Sequence, residues 1–259
     1  MTTAFSVETF EARLAARTFG RRLVYEPTVA STMDVARREA EAGCPEGAVV
    51  LADEQTAGRG RLGRSWLSPP GDNLYLTVVL RPSPARLRRL SVVSGLAVAE
   101  AVERVTGLET RLKWPNDVLV AGKKVAGILI ESELAGDEIR FALVGAGINV
   151  NLDVSRIEEL RDIATSLAAE VGRRVSREEL LAALLGRLEE LYLAPEDADE
   201  PHRLWRERLE TLGRSVRVQF GEQVEEGLAE DVAADGSLIL RRRDGSVVRI
   251  EAGDVTLKA

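Results

Sequence analysis

Cysteine and histidine are almost missing from this chain: Cys44 and His202 are the only examples of either. A single cysteine excludes an intramolecular disulfide and fits a reducing compartment such as the cytoplasm. One histidine, next to a proline in a polar stretch, excludes a histidine-based zinc site and a Ser-His-Asp triad. No apolar run reaches the roughly 18 residues that a membrane span needs. The first eleven residues lack the basic-then-apolar layout of a signal peptide. A net charge of −7 argues against broad attraction to nucleic acid. Lysine is scarce too: of 35 basic residues only Lys113, Lys123, Lys124 and Lys258 are lysines. Where lysine is so widely avoided, one that remains points to a task that arginine cannot perform.

What is present describes a globular chain. Hydrophobic residues make up 45% and charged ones 30% of 259 residues, enough for one large domain or a large one plus a small one. Apolar periodicity predicts helices over residues 7–19, 31–42, 87–105, 163–171, 176–193 and 202–212. Ser31-x-x-Asp34 reads as a capping box and Gly43 as its helix's stop. Strands are expected at 22–25, 48–52, 73–80 and 139–150, with a hairpin of 118–120 and 125–134 about Gly122. After Gly213 the texture changes to short strands at 216–220, 224–232, 237–240, 247–251 and 255–257, separated by glycine turns. That is a small β barrel or sandwich, which at this size leans on the larger domain.

Four segments carry candidate chemistry. The first, "ADEQTAGRGRLGRSW", contains Gly58-x-Gly60-x-x-Gly63, the bare dinucleotide pattern. That fingerprint needs a helix opening at the loop. Here Ser65-Trp66-Leu67-Ser68-Pro69-Pro70-Gly71 follows, which cannot open one. What remains is a glycine-rich loop bearing Arg59, Arg61 and Arg64. It is either a solvated surface loop or a lid that encloses and releases an anionic ligand. The second, Lys113-Trp114-Pro115-Asn116-Asp117, cannot be helical. It offers a cation, a ring, an amide and a carboxylate, parts that suit a nucleotide with Mg²⁺ or a turn over a buried Trp. The third, Lys123-Lys124-Val125-Ala126-Gly127-Ile128-Leu129, opens a buried strand with two lysines and places a glycine where something approaches the backbone. The fourth, Gly145-Ala146-Gly147-Ile148-Asn149, admits close packing or a ligand.

In the order "STMD", "DEQTAGRGRLGRSW", "KWPNDV", "KKVAGIL", "GAGINVN", then a small β domain, the chain closely resembles the biotin protein ligases from about Val24 to its end. The resemblance implies an α+β fold: a mixed-sheet catalytic domain akin to class II aminoacyl-tRNA synthetases over residues 1–212, then an SH3-like β domain over 213–259. It implies two steps. Biotin's carboxylate attacks the α-phosphate of MgATP, giving biotinyl-5′-AMP and pyrophosphate; a lysine amine of a biotin carboxyl carrier protein then attacks the mixed anhydride. No enzyme nucleophile is needed, and fixed positive charge carries the burden. The family pattern puts Lys124 and Arg61 at the reacting groups. It puts Ser31, Thr32, Gln55, Gly58, Arg59, Gly60, Trp66 and Gly127 near biotin. Arg64, Trp66, Lys113, Asn116 and Asn149 fall near the nucleotide and Asp117 near Mg²⁺. Met33 departs from the pattern, where Asn is frequent. With about 22 residues ahead of the first core strand, no winged helix-turn-helix is expected, hence a monofunctional ligase without specific DNA binding. A homodimer is left open. The alternatives are a lipoate or octanoate ligase or transferase, for which Cys44 is the sole thiol nucleophile, and a non-catalytic biotin or nucleotide sensor, expected to lose Lys124 or Arg61.

Overall fold

The computed structural model describes residues 4–136, 138–251 and 253–257; Lys258 lies outside them. In chain order the larger part contains α1 (Val7–Arg13), β1 (Leu23–Val29), α2 (Thr32–Glu41), β2 (Val49–Gln55), β3 (Leu74–Leu80), α3 (Pro84–Thr106), β4 (Arg111–Lys113), β5 (Asp117–Val120), β6 (Lys123–Ala135), β7 (Glu138–Ile148), α4 (Leu167–Val171), α5 (Arg177–Leu193) and α6 (Glu200–Arg208). The seven strands form one sheet in the order β1-β2-β3-β7-β6-β5-β4. β1 and β2 run parallel and every other pair is antiparallel, so the sheet is mixed and the class is α+β.

Both faces of the sheet are covered, which is why β3 is buried at all seven positions. On one face α3, α1 and α5 close the main core. On the other, α2 lays Met33, Ala36 and Ala40 over Val50, Val79, Phe141 and Leu143. Along β7 the residues facing α2 therefore read Phe141, Leu143, Gly145, Gly147. The helix covers the first two and ends near the third, and the change from bulky residues to glycine marks where the layer opens.

Several helix ends differ from the periodicity. α1 stops at Arg13, because the amides of Arg17, Thr18 and Phe19 all donate to the Glu189 carboxylate at 2.7–2.8 Å instead of continuing a helix. α4 begins only at Leu167, capped by Ser166; Ile163 ends a turn and Ala164 forms a parallel bridge with Lys124. α6 starts two residues early, with proline in its first turn, and stops at Arg208, where Leu209 bridges Leu112. Ser31 does cap α2, accepting from Met33 N at 3.3 Å. The reciprocal half of the expected capping box is replaced: the Asp34 carboxylate turns to Arg59 at 2.7 Å.

The C-terminal part is a five-stranded antiparallel sheet of β8 (Ser215–Phe220), β9 (Gln223–Val232), β10 (Leu238–Arg241), β11 (Val247–Ile250) and β12 (Asp254–Leu257), in the order β11-β10-β9-β8-β12. The closing of β12 onto β8 gives the SH3-like arrangement. Its buried residues Val216, Val218, Ala229, Leu238 and Leu240 join the main core. Trp114 ties the two parts together: its indole N–H donates to Gly236 O at 2.8 Å and its amide to Thr211 Oγ1 at 3.0 Å.

Candidate active site

A cavity of about 330 Å³ opens where the glycine row of β7 leaves the sheet uncovered. Its floor is a cross-strand glycine pair, Gly127 opposite Gly147, with Asp117 next in the same row. The need for glycine is steric. A Cβ on Gly147 would lie 2.4 Å from Trp66 Cε2 and Nε1, and one on Gly127 would lie 2.9 Å from Trp66 Cζ3. The indole of Trp66 therefore lies flat on the sheet backbone. One step along, a Cβ on Gly145 would meet Met33 Sδ at 2.8 Å, so the thioether occupies that hollow. The two glycine hollows are two residues apart on one strand face, about 7 Å.

Lys124 reaches this floor through a register shift. Alternation along β6 from Gly127 would send residues 125 and 123 toward the cavity. The pairing with β5 shifts between Val118 and Leu119, so Ala126 faces Val118 but Lys124 faces Leu119, leaving Val125 as the extra residue. That bulge turns Val125 into the core and Lys124 toward the cavity. The Lys124 backbone is held by residues 163–165: its N–H donates to Ile163 O at 3.0 Å and its carbonyl accepts from Thr165 N at 2.9 Å. Lys124 Nζ lies 2.6 Å from Asp117 Oδ1 and 5.1 Å from the centre of the Trp66 ring. Lys123 points away and donates to Arg161 O at 2.8 Å.

The roof is the glycine–arginine loop, folded as a short hairpin. Trp66 N donates to Gly58 O at 2.9 Å and Gly60 N to Arg64 O at 2.7 Å. Leu62 and Gly63 at its tip take positive φ, 54° and 74°. Gly58 sits behind the cavity wall; a Cβ there would strike Trp66 O at 2.5 Å. Arg61 Nη1 donates to Asn116 Oδ1 at 3.3 Å and to Gly253 O at 3.4 Å, joining the roof to the Trp-Pro-Asn turn and to the C-terminal sheet. Asn116 is fixed by its own donation to Ile128 O at 2.8 Å. At the other end Gln55 Oε1 accepts from Thr32 N at 2.9 Å and Thr32 Oγ1 at 3.2 Å, while Gln55 Nε2 donates to Ser68 Oγ at 3.0 Å.

Residues 25–149 match the Biotin/lipoate A/B protein ligase family, and residues 211–258 match the Biotin protein ligase C terminal domain. The biotin–[acetyl-CoA-carboxylase] ligase of Paracoccus denitrificans is 37% identical over 82% of this chain and 91% of its own. The corresponding ligase of Mycobacterium tuberculosis is 35% identical over 90% and 87%. The chain belongs to the biotin protein ligase family. A solved biotin protein ligase from Aquifex aeolicus, in complex with biotin and ATP, superposes with a TM-score of 0.78 at 34% identity, covering 92% of this chain and 99% of that one.

In this biotin protein ligase fold the cavity gathers Ser31, Thr32, Gln55, Arg59, Gly60, Arg61, Arg64, Trp66, Lys113, Asn116, Asp117, Lys124 and Gly127 from the expected set. Gly58 and Asn149 stand outside its lining. Asn149 is buried and donates to Thr165 O at 3.2 Å, so it braces the segment that holds Lys124. Sequence reasoning missed Met33 as a lining group, the Gly145–Gly147 floor as a requirement of Trp66, and Val255 and Thr256 of the C-terminal sheet. The glycines carried a signal, since alternate glycines on a buried strand make a flat shelf. Nothing local marks Val255 and Thr256. The Trp66 indole N–H is buried without an acceptor among the described residues, a donor open to a ligand. Those residues contain no group of three or more His, Cys, Asp or Glu able to hold a metal. Asp117 supplies one carboxylate, which fits a Mg²⁺ that arrives on ATP with its own oxygen ligands. Cys44 lies in the α2 cluster away from the cavity, and burial pushes its thiol pKa up.

Proposed function

We propose that this chain activates biotin with ATP as biotinyl-5′-AMP and transfers the biotinyl group to a lysine of a carboxylase's biotin carrier protein. The observation that carries the reading is the cavity's two-ended chemistry. At one end Thr32 and Gln55 present neutral polar groups beside the Met33 thioether. At the other, Lys124, Arg61, Arg64 and Lys113 present positive charge. Such a cavity suits a ligand with an uncharged polar head and an anionic reactive tail. Ser31, Thr32, Gln55, Arg59, Gly60, Trp66 and Gly127 take the biotin side, with Gly58 behind the wall allowing the close approach of the Trp66 backbone. Trp66, Arg64, Lys113 and Asn116 take the nucleotide side, with Asn149 acting from behind the lining through the segment that holds Lys124, and Asp117 the Mg²⁺ of MgATP.

Lys124 and Arg61 act where the two substrates meet. Biotin's carboxylate oxygen forms a bond to the α-phosphorus, and the bond to pyrophosphate breaks. Both reactants are anions, so their approach is favoured only next to fixed cations. A compact ammonium fits beside an α-phosphate better than a planar guanidinium. In the second step the acceptor amine bonds to the biotinyl carbonyl, AMP leaves, and the amine's proton passes to solvent. The lining holds no Cys or His, in keeping with direct transfer that needs no covalent enzyme intermediate.

Residues 1–212 serve as the catalytic domain, and 213–259 complete the cavity wall. We place the ligase in the cytoplasm with its carrier protein; no described helix is long and apolar enough to cross a membrane. A homodimer is compatible with the same site. We expect no specific DNA binding, and a gel-shift assay with and without biotin and ATP should show no sequence-specific complex. The deciding experiment is ATP–pyrophosphate exchange with biotin, lipoate and octanoate side by side. Exchange with biotin alone supports the reading; exchange with lipoate but not biotin overturns it.

A further inference from the structure

The roof loop is fastened on two sides, and Asp34, which anchors the outer fastening, has no part in the chemistry described so far. Arg59 leaves the first arm of the hairpin, bridged to Ser65 on the second. Its Nη1 lies 2.7 Å from Asp34 Oδ1 on α2, and its Nη2 lies 3.8 Å from Glu131 Oε1 on β6. Asp34 is the residue that would complete the capping box, yet its carboxylate is spent on the loop instead. Glu131 is in turn held by Arg37 Nη2 at 2.8 Å, and Arg37 Nη1 by Glu133 Oε2 at 2.6 Å. The acceptors that meet Arg59 are therefore mounted on two rigid elements of the sheet layer. Arg61, by contrast, fastens the inner side through Asn116 and the Gly253 carbonyl.

We propose that Asp34, acting through Arg59, is the outer latch of the loop at residues 58–66, and so a positioning residue that governs how long the activated intermediate stays enclosed. The loop needs such a device. Between Gly58 and Trp66 its backbone–backbone bonds are to itself, and its glycines lower the cost of opening. The latch is half-exposed on both partners, with side chains 40% and 42% accessible, so it is weak and screened by salt. A weak latch suits a lid that must open once in each cycle to admit the acceptor lysine.

The role in the loop stands on geometry alone; the role in retaining an adenylate rests on the ligase reading. Two measurements separate them. Limited trypsinolysis of the ligand-free chain reports cleavage after Arg61 and Arg64 in the loop. Asp34→Asn should speed that cleavage about two- to fivefold, the range of an exposed ion pair, at unchanged thermal stability. In an Arg59→Gln background, Asp34→Asn should add nothing. Dissociation of biotinyl-AMP, made in place from labelled biotin and ATP, should accelerate by a similar factor in Asp34→Asn. It should rise with ionic strength in the parent chain more than in the variant. Cleavage at the parent rate, or an Asp34→Asn effect of equal size with Arg59→Gln present, overturns the latch. Faster cleavage in a chain that forms no adenylate from biotin leaves the latch standing and removes the ligase reading.

Discussion

The floor and the roof of the cavity are built on opposite principles. In the floor every strand has a partner on each side, and Gly127 and Gly147 are dictated by an indole that leaves no room for a Cβ. In the roof the hairpin's backbone–backbone bonds are to itself, Leu62 at its tip is 54% exposed, and side chains hold it down. The floor can thus hold a cation at a set point, which electrostatic stabilisation requires because a charge that must be reoriented loses much of its benefit. The roof can exclude water and still open. Lys124 belongs to the floor and the three arginines to the roof, so loss of a floor group should slow the chemistry, while loss of a roof group should shorten the life of what the chemistry makes.

The largest effect expected is at Lys124. Lys124→Ala should slow biotin-dependent pyrophosphate exchange by about 10²–10³-fold, the usual cost of removing a donor aimed at developing charge. Lys124→Arg should also be impaired, and Lys123→Ala should stay near the parent rate because its ammonium faces Arg161. Damage from Lys123→Ala with Lys124→Ala mild would put the bulge in the wrong place. Next comes Gly147→Ala. The new methyl needs space now filled by Trp66, 2.4 Å away, so the indole and the Lys124 ammonium above it must both move. A displacement of about 1 Å at a reacting centre can cost up to about 10²-fold. Exchange kinetics that match the parent would show that the flat shelf is not needed.

How far the sequence foretells all this depends on the kind of signal. The small C-terminal β domain and nearly every strand are legible from periodicity and turn residues, whereas the mixed-sheet α+β architecture is legible from the family pattern. Helix ends are less so, because long-range partners decide them: Glu189 stops α1, and Lys124 draws residues 163–165 out of α4. The cavity's residues are legible from the family pattern, but their arrangement is not. Strict alternation from Gly127 selects Lys123, and only the one-residue bulge at Val125 brings Lys124 to the cavity side. A bulge is set by pairing with another strand, which local sequence does not encode. Asp34 shows the converse error: a sound local motif read as a helix cap, with its carboxylate used elsewhere.

A roof variant should behave differently from both floor variants. Arg61 bonds Asn116 and the carbonyl of Gly253, so Arg61→Gly removes the inner fastening and adds flexibility to the hairpin. Loss of biotinyl-AMP should quicken by up to roughly a hundredfold, equivalent to ~3 kcal/mol withdrawn from the closed state. Synthesis should slow less than release accelerates. The escaping anhydride would acylate bystander lysines, read as biotin on an added unrelated protein. Equal damage to synthesis and retention would place Arg61 with the floor.

The smallest effect is expected where neither wall is touched. Cys44 lies just past the end of α2, at the edge of the apolar cluster that contains Ala40, Ala48 and Val79, and only 8% of it is exposed. Burial raises its thiol pKa; the nearby Arg81 guanidinium acts in the opposite sense but does not prevail. A raised pKa keeps the sulfur as thiol at neutral pH, and the thiolate is the form that attacks carbonyls and alkylating reagents. Cys44→Ser should therefore leave exchange and transfer within about twofold of the parent, with a stability loss of roughly 1 kcal/mol from burying a hydroxyl. Native protein should react slowly with iodoacetamide, and faster as the pH climbs toward the raised pKa. Abolished transfer in Cys44→Ser with exchange intact would mean that the acyl group passes through the thiol. The comparison of floor and roof would then have left out the group that does the second half of the work.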